Sequence, residues 1–138
     1  MKKKNIFLED LKDYTEEEIK LHLATQYADE HTHEYNKPDI TLLKELKQYS
    51  ILIAYESVGS WGCDSASYYL LRHKKTKELF EIHGSHCSCY GFEGQGKLEP
   101  TTTKYLKSDK FNFYVGGYDS DETANQKAVY EYIKSMRK

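Results

Sequence analysis

Apolar positions change their spacing along the chain, and the changes divide it into three parts. In the first part, about residues 1–48, they recur at helical intervals. Ile19, Leu23 and Tyr27 follow one another every fourth residue, which predicts an amphipathic helix over about 15–29. Thr15-Glu16-Glu17-Glu18 supplies its start. The threonine caps the first turn, Glu18 reaches back, and the acidic turn suits the helix dipole. His22 lies beside Ile19 and reads as a half-buried packing residue. Ahead of this helix, Ile6-Phe7-Leu8 and Leu11 predict a short turn packed on the body. After a polar loop, Pro38-Asp39 introduces a second short helix through Ile40, Leu42, Leu43 and Leu46.

From Tyr49 the pattern is that of strands. Ile51-Leu52-Ile53-Ala54-Tyr55 is a continuous apolar run, the mark of a strand with a mostly buried course. Ser67-Tyr68-Tyr69-Leu70-Leu71-Arg72 and Glu78-Leu79-Phe80-Glu81-Ile82-His83 predict two more. Short loops join all three, so they form an antiparallel meander. Thr101 to Leu106 and Phe111-Asn112-Phe113-Tyr114-Val115 predict a fourth and a fifth strand, the latter alternating its apolar residues onto one face. Asp119-Ser120-Asp121-Glu122 opens a C-terminal helix over about 120–137, with Val129, Tyr132, Ile133 and Met136 as its apolar stripe. The expected fold is a single α+β domain. It has a helical part over about 1–48, a β meander over about 49–115, and an antiparallel sheet of about five strands on which helices from both ends pack.

Composition narrows the function classes. The 138 residues include 38% hydrophobic and 14% aromatic side chains, with thirteen tyrosines, so the chain folds in spite of a mean hydropathy of −0.81. Each buried tyrosine brings ring area and a hydroxyl that needs a partner. Twenty basic residues against 22 acidic ones give a net charge of −2. That balance argues against both a phosphate-binding surface and a nucleic-acid mimic. With neither a long apolar run nor a signal-peptide pattern, the expected location is the cytoplasm. There, three cysteines point to metal binding or catalysis rather than to disulfides.

Two of those cysteines and two of the six histidines crowd into His83-Gly84-Ser85-His86-Cys87-Ser88-Cys89-Tyr90-Gly91. The meander brings the loop carrying Cys63 to the same end of the sheet. Cys63, His86, Cys87 and Cys89 then form a candidate tetrahedral set for Zn²⁺, since thiolates and an imidazole are the ligands zinc prefers over calcium or magnesium. His83 and Asp64 are substitutes should His86 point away. C-x-C spacing is tighter than the usual C-x₂-C, and Gly84 and Gly91 permit the sharp turn it needs. Two other readings stay open. The cysteines can be small packing residues in a glycine-rich corner, or Cys87 or Cys89 can be a nucleophile with a neighbouring histidine and Asp64 as orienter, making a thiol- or zinc-dependent small hydrolase. His31 and His33 read as chance histidines of an exposed linker. Gly91-Phe92-Glu93-Gly94-Gln95-Gly96 lacks the flanking helix of a phosphate loop.

The run Leu79-Phe80-Glu81-Ile82 followed by Gly84-Ser85-His86-Cys87-Ser88-Cys89-Tyr90-Gly91-Phe92-Glu93 and Gln95 resembles a family of small bacteriophage and mobile-element proteins. These carry a G-S-H-C-S-C-Y-G-L-E-x-Q-W-like segment after a strand. The match covers roughly residues 50–100, and most members have no assigned activity. Phe92 stands where leucine is usual, and Gly96 where tryptophan is typical, which removes a large anchor. A similar protein is a zinc-containing anti-CRISPR that binds Cas9. The resemblance thus implies structural zinc at His86, Cys87 and Cys89. It further implies a phage-derived inhibitor acting in the host cytoplasm on a host defence protein, a type II CRISPR effector nuclease (Cas9) first among them. Direct binding of nucleic acid or membrane is not expected.

Overall fold

Tyr49–Ser57 is buried at seven of its nine positions, and apolar throughout Ile51–Tyr55, because both of its faces are covered. The computed structural model of the protein describes residues 5–29, 37–57, 65–86, 92, 94–113 and 122–136. Within them the chain runs through β1 (Ile6–Glu9), α1 (Glu16–Gln26), α2 (Ile40–Leu46), β2 (Tyr49–Ser57), β3 (Ser65–His73), β4 (Leu79–His86), β5 (Glu99–Thr101), α3 (Thr103–Leu106) and α4 (Glu122–Ser135). One sheet holds the strands in the order β1-β2-β3-β4-β5. Its β2-β3-β4-β5 pairs are antiparallel, and β1 lies parallel to β2. The α+β class and the mostly antiparallel five-stranded sheet expected from the sequence are present.

Three elements differ from expectation. Ile6–Glu9 is an edge strand, with Ile6 opposite Ile53 and Leu8 opposite Tyr55, where the sequence predicted a packed turn. The strand expected from Thr101 to Leu106 is instead β5 followed at once by α3. Thr102 makes the change by capping that helix, its hydroxyl accepting from the Tyr105 amide at 3.1 Å. Phe111 and Phe113 are buried as their alternation predicted, but 111–113 pair with no strand among the described residues, beyond which Tyr114 and Val115 lie. The Phe111 and Phe113 rings pack with Val129 and Ile133 of α4, and burial there needs no ladder.

The helices divide between the two faces of the sheet. On one, Leu11, Ile19, Leu23, Tyr27 and Leu46 pack on Ile51, Ala54, Tyr69, Leu71 and Ile82. On the other, Leu106, Phe111, Phe113, Val129 and Ile133 pack on Ile53, Tyr55, Tyr68 and Leu70. Each fully buried aliphatic or aromatic side chain stabilises the fold by roughly 1.5–3 kcal/mol relative to exposure. The expected cap of α1 is formed. Thr15 Oγ1 accepts from the Glu18 amide at 3.1 Å, and Glu18 Oε1 from the Thr15 amide at 2.9 Å. A register shift between Ile51 and Ile53 in β2 lets Ile51 and Ala54 share the α1 face although three positions apart. Glu16 Oε1 accepts from the Ile51 amide there at 2.7 Å, which fastens the start of α1 to the sheet. No helix among the described residues is long and apolar enough to cross a membrane.

Candidate metal site and the Glu56 cluster

The register brings two loops to one end of the sheet. β2 ends at Ser57, β3 begins at Ser65 and β4 ends at His86, with Ser57 opposite Ala66 and Ser65 opposite His86. Of the predicted ligands, Cys63, Cys87 and Cys89 lie outside the described residues, as does Asp64. His86 is described as the last residue of β4, paired across the ladder with Ser65, which follows Cys63 by two positions. The Ser65 hydroxyl is buried with no hydrogen-bond partner among the described residues. Three thiols, an imidazole and a spare hydroxyl donor are a donor set that fits zinc, since metal thiolates take hydrogen bonds from an outer shell. Among the described residues no group of three or more His, Cys, Asp or Glu side chains gathers to hold a metal. His83, the substitute ligand, is engaged elsewhere. Its Nε2 lies 3.6 Å from Glu81 Oε1 and its ring tilts against Tyr68, whose hydroxyl donates to Glu81 Oε2 at 2.8 Å.

The chain after the turn is clamped on both sides. Gln95 Oε1 accepts from the Ser85 amide at 2.8 Å, and its Nε2 donates to the Ser85 carbonyl at 2.9 Å, so one side chain satisfies the backbone beside His86. Phe92 stacks on Tyr27 with ring centroids 4.6 Å apart and planes within 5°. The Gly94 and Gly96 amides donate to the Ala28 and Tyr27 carbonyls, both at 3.0 Å. A Cβ at Gly96 would stand 3.1 Å from both Cβ and O of Tyr27. Glycine at this position is therefore part of the close approach to the end of α1.

At the same end of the sheet, on the α1 face, lies a second cluster that the sequence reading did not find. Glu56 is 5% exposed. Its Oε1 meets His22 Nε2 at 2.9 Å and accepts from the hydroxyls of Tyr27 and, at 3.2 Å, Tyr69. Tyr69 also donates toward the Tyr27 hydroxyl at 3.1 Å. Burial acts to raise the Glu56 carboxyl, but the hydrogen bond and charge of His22 and the two tyrosine hydroxyls outweigh it and hold the group below its ordinary range. Burial, joined by the Glu56 charge, pushes the Tyr27 hydroxyl well up; at Tyr69 burial, Tyr27 and Glu56 do the same, so both remain donors. His22 is thus a partner of a buried carboxylate rather than a packing residue alone. The signal in the sequence was a glutamate closing a buried apolar strand, since an isolated carboxylate cannot stay ionised there without donors.

A pH dependence follows. A carboxyl held below its ordinary value adds stability above that value and loses it as the pH falls through the folded-state value. Folding stability should hold from neutrality down to about the ordinary glutamate value of 4.5 and decline below it. Glu56→Gln should flatten the acid limb in urea titrations run pH by pH. An unchanged limb would assign the acid sensitivity to other groups. No protein-family model, curated protein or solved structure matches this chain.

Proposed function

We propose that this is a small binding protein in which zinc, held by Cys63, His86, Cys87 and Cys89, ties two loops together and performs no chemistry. The strand register carries the reading, because Ser65 opposite His86 starts the two cysteine-bearing segments from one end of the sheet. Closed thiolate–imidazole sites add their binding free energy to folding, which suits a small domain. The face so stiffened binds a protein at a reduced ordering cost. The resemblance of the Gly84–Glu93 segment to phage proteins makes a host defence protein the partner, with a type II CRISPR effector nuclease of the Cas9 kind the first to try.

Elemental analysis of the purified protein tests the metal. One zinc per chain, lost in both Cys63→Ser and Cys87→Ser with a lower melting temperature, is the expected result. Zinc retained in Cys63→Ser would refute the shared site. Pull-down with purified Cas9 tests the partner, and no complex at micromolar concentration would remove that target. Folded-state alkylation separates a structural site from a thiol enzyme. The thiols should resist iodoacetamide until a chelator is added, whereas one thiol reacting fast with zinc still bound would favour the hydrolase.

A further inference from the structure

β1 lies at one border of the sheet, and among the described residues no strand pairs with its outer side. Natural sheets guard such borders with proline, inward charges or bulges. Ile6-Phe7-Leu8 has none of these, and its three side chains are half-buried. Ile6 and Leu8 pack on one core and Phe7 on the other, so the strand is apolar on both faces. The Asp10 amide donates to the Glu56 carbonyl at 3.0 Å, which fixes the alternation of the backbone. The peptide groups of Asp10, Leu8 and Ile6 turn to β2. Those of Phe7 turn outward, where its N–H and C=O meet no partner among the described residues.

We infer that β1 pairs antiparallel with β1 of a second copy of this chain, across a two-fold axis at Phe7. The order of charges chooses the occupant and its direction. Lys2-Lys3-Lys4 precedes the apolar run and Glu9-Asp10 follows it, so the segment complements itself when reversed. Antiparallel pairing sets the lysines of each copy beside the acids of the other at both ends. Parallel pairing would set like charges together. The outward peptide groups choose the register. With Phe7 opposite Phe7, the two residues exchange both hydrogen bonds, Ile6 faces Leu8, and Lys4 comes near Asp10. A contact of this kind closes on itself, so association stops at two copies. Glu9, with φ 54°, ends the strand and keeps the new ladder short. So small a contact gives a dissociation constant in the micromolar range. It uses no residue of the proposed metal site, and the inference stands whether or not zinc is found.

Sedimentation equilibrium of the whole protein across the micromolar range tests it. The mass should rise from one chain toward two and stop there. Charge variants decide the contact. Lys3→Glu combined with Lys4→Glu, and separately Asp10→Lys, should each weaken self-association about tenfold. An equal mixture should associate more tightly than either alone, since reversed charges then face each other. Glu9 is left intact because it accepts from Asn125. The lysine variant changes residues ahead of β1, so an unchanged melting temperature in dilute solution separates the contact from folding. Hydrogen exchange reads the register and needs no variant. The Phe7 amide should exchange about tenfold more slowly in the dimer than in dilute protein, while the Leu8 amide, turned to β2, stays slow in both. A mass that stays at one chain, or growth beyond two, would overturn the inference. So would undiminished association in the lysine variant, or a Phe7 amide indifferent to concentration.

Discussion

Glu56→Ala lowers folding stability by about 3 kcal/mol in urea denaturation at neutral pH, the largest loss expected from one polar side chain here. The reason is what it leaves behind. Tyr27 and Tyr69 are both fully buried, and both hydroxyls lose the carboxylate that accepts from them. A stranded buried hydroxyl costs roughly 1–3 kcal/mol, so two cost roughly 2–6, and because the two keep each other as partners the sum falls in the lower half of that range. Glu56→Gln keeps one acceptor oxygen and should lose about half as much. A double-mutant cycle isolates the cluster from mere cavity formation. Tyr69→Phe should cost clearly less in the Glu56→Ala background than in the wild type, whereas additive losses would mean the hydroxyl and carboxylate act independently.

Phe92→Ala should cost about 3–4 kcal/mol and lower the melting temperature by on the order of 10 °C. Phe92 is 6% exposed, lies flat on Tyr27 and touches the backbone of β4, since a Cβ built on Gly84 would meet its Cδ1 at 2.9 Å. Removing the ring leaves a cavity between α1 and the sheet that neither element can close, because β4 is held by β3 and α1 by its Glu16 tether. Crowding the same contact should also destabilise. Gly84→Ala puts a methyl 2.4 Å from Ser67 Oγ as well as against Phe92, and a loss of about 1–3 kcal/mol is expected. Thermal unfolding by circular dichroism checks both. A melting temperature unchanged in Phe92→Ala would mean the stack does not hold the segment to α1.

Which parts of this structure could be read from the chain depended on how local their causes are. The cap at Thr15, the α1 stripe and strands β2 to β4 rest on neighbours in sequence, and each is found close to its expected place. β1 was missed because three apolar residues carry no period, and its partner, β2, is distant in sequence. The 101–106 segment misled because threonine serves both strands and helix caps, and Thr102 caps. Glu56 was passed over for a related reason. Its partners come from α1 and β3, so no local window contains the histidine and two tyrosines that make its burial tolerable. The meander of β2, β3 and β4 was legible, and its register sets Ser57, Ser65 and His86 at one end of the sheet, while Cys63, Cys87 and Cys89 lie outside the described residues. Of the four ligands, the described residues reach only the His86 backbone.

Gln95 has a consequence for how the protein behaves in a crowded cell. β5 pairs with β4 only over Leu79 to Glu81, so the far end of β4 borders no strand among the described residues. An open edge of this kind is a template on which another chain can add a strand and begin to aggregate. The Gln95 amide fills both backbone positions of Ser85 along that edge, and Pro100 weakens the short strand beyond it as a template. Colloidal solubility of this small sheet thus depends in part on one side-chain amide taking the place of a strand.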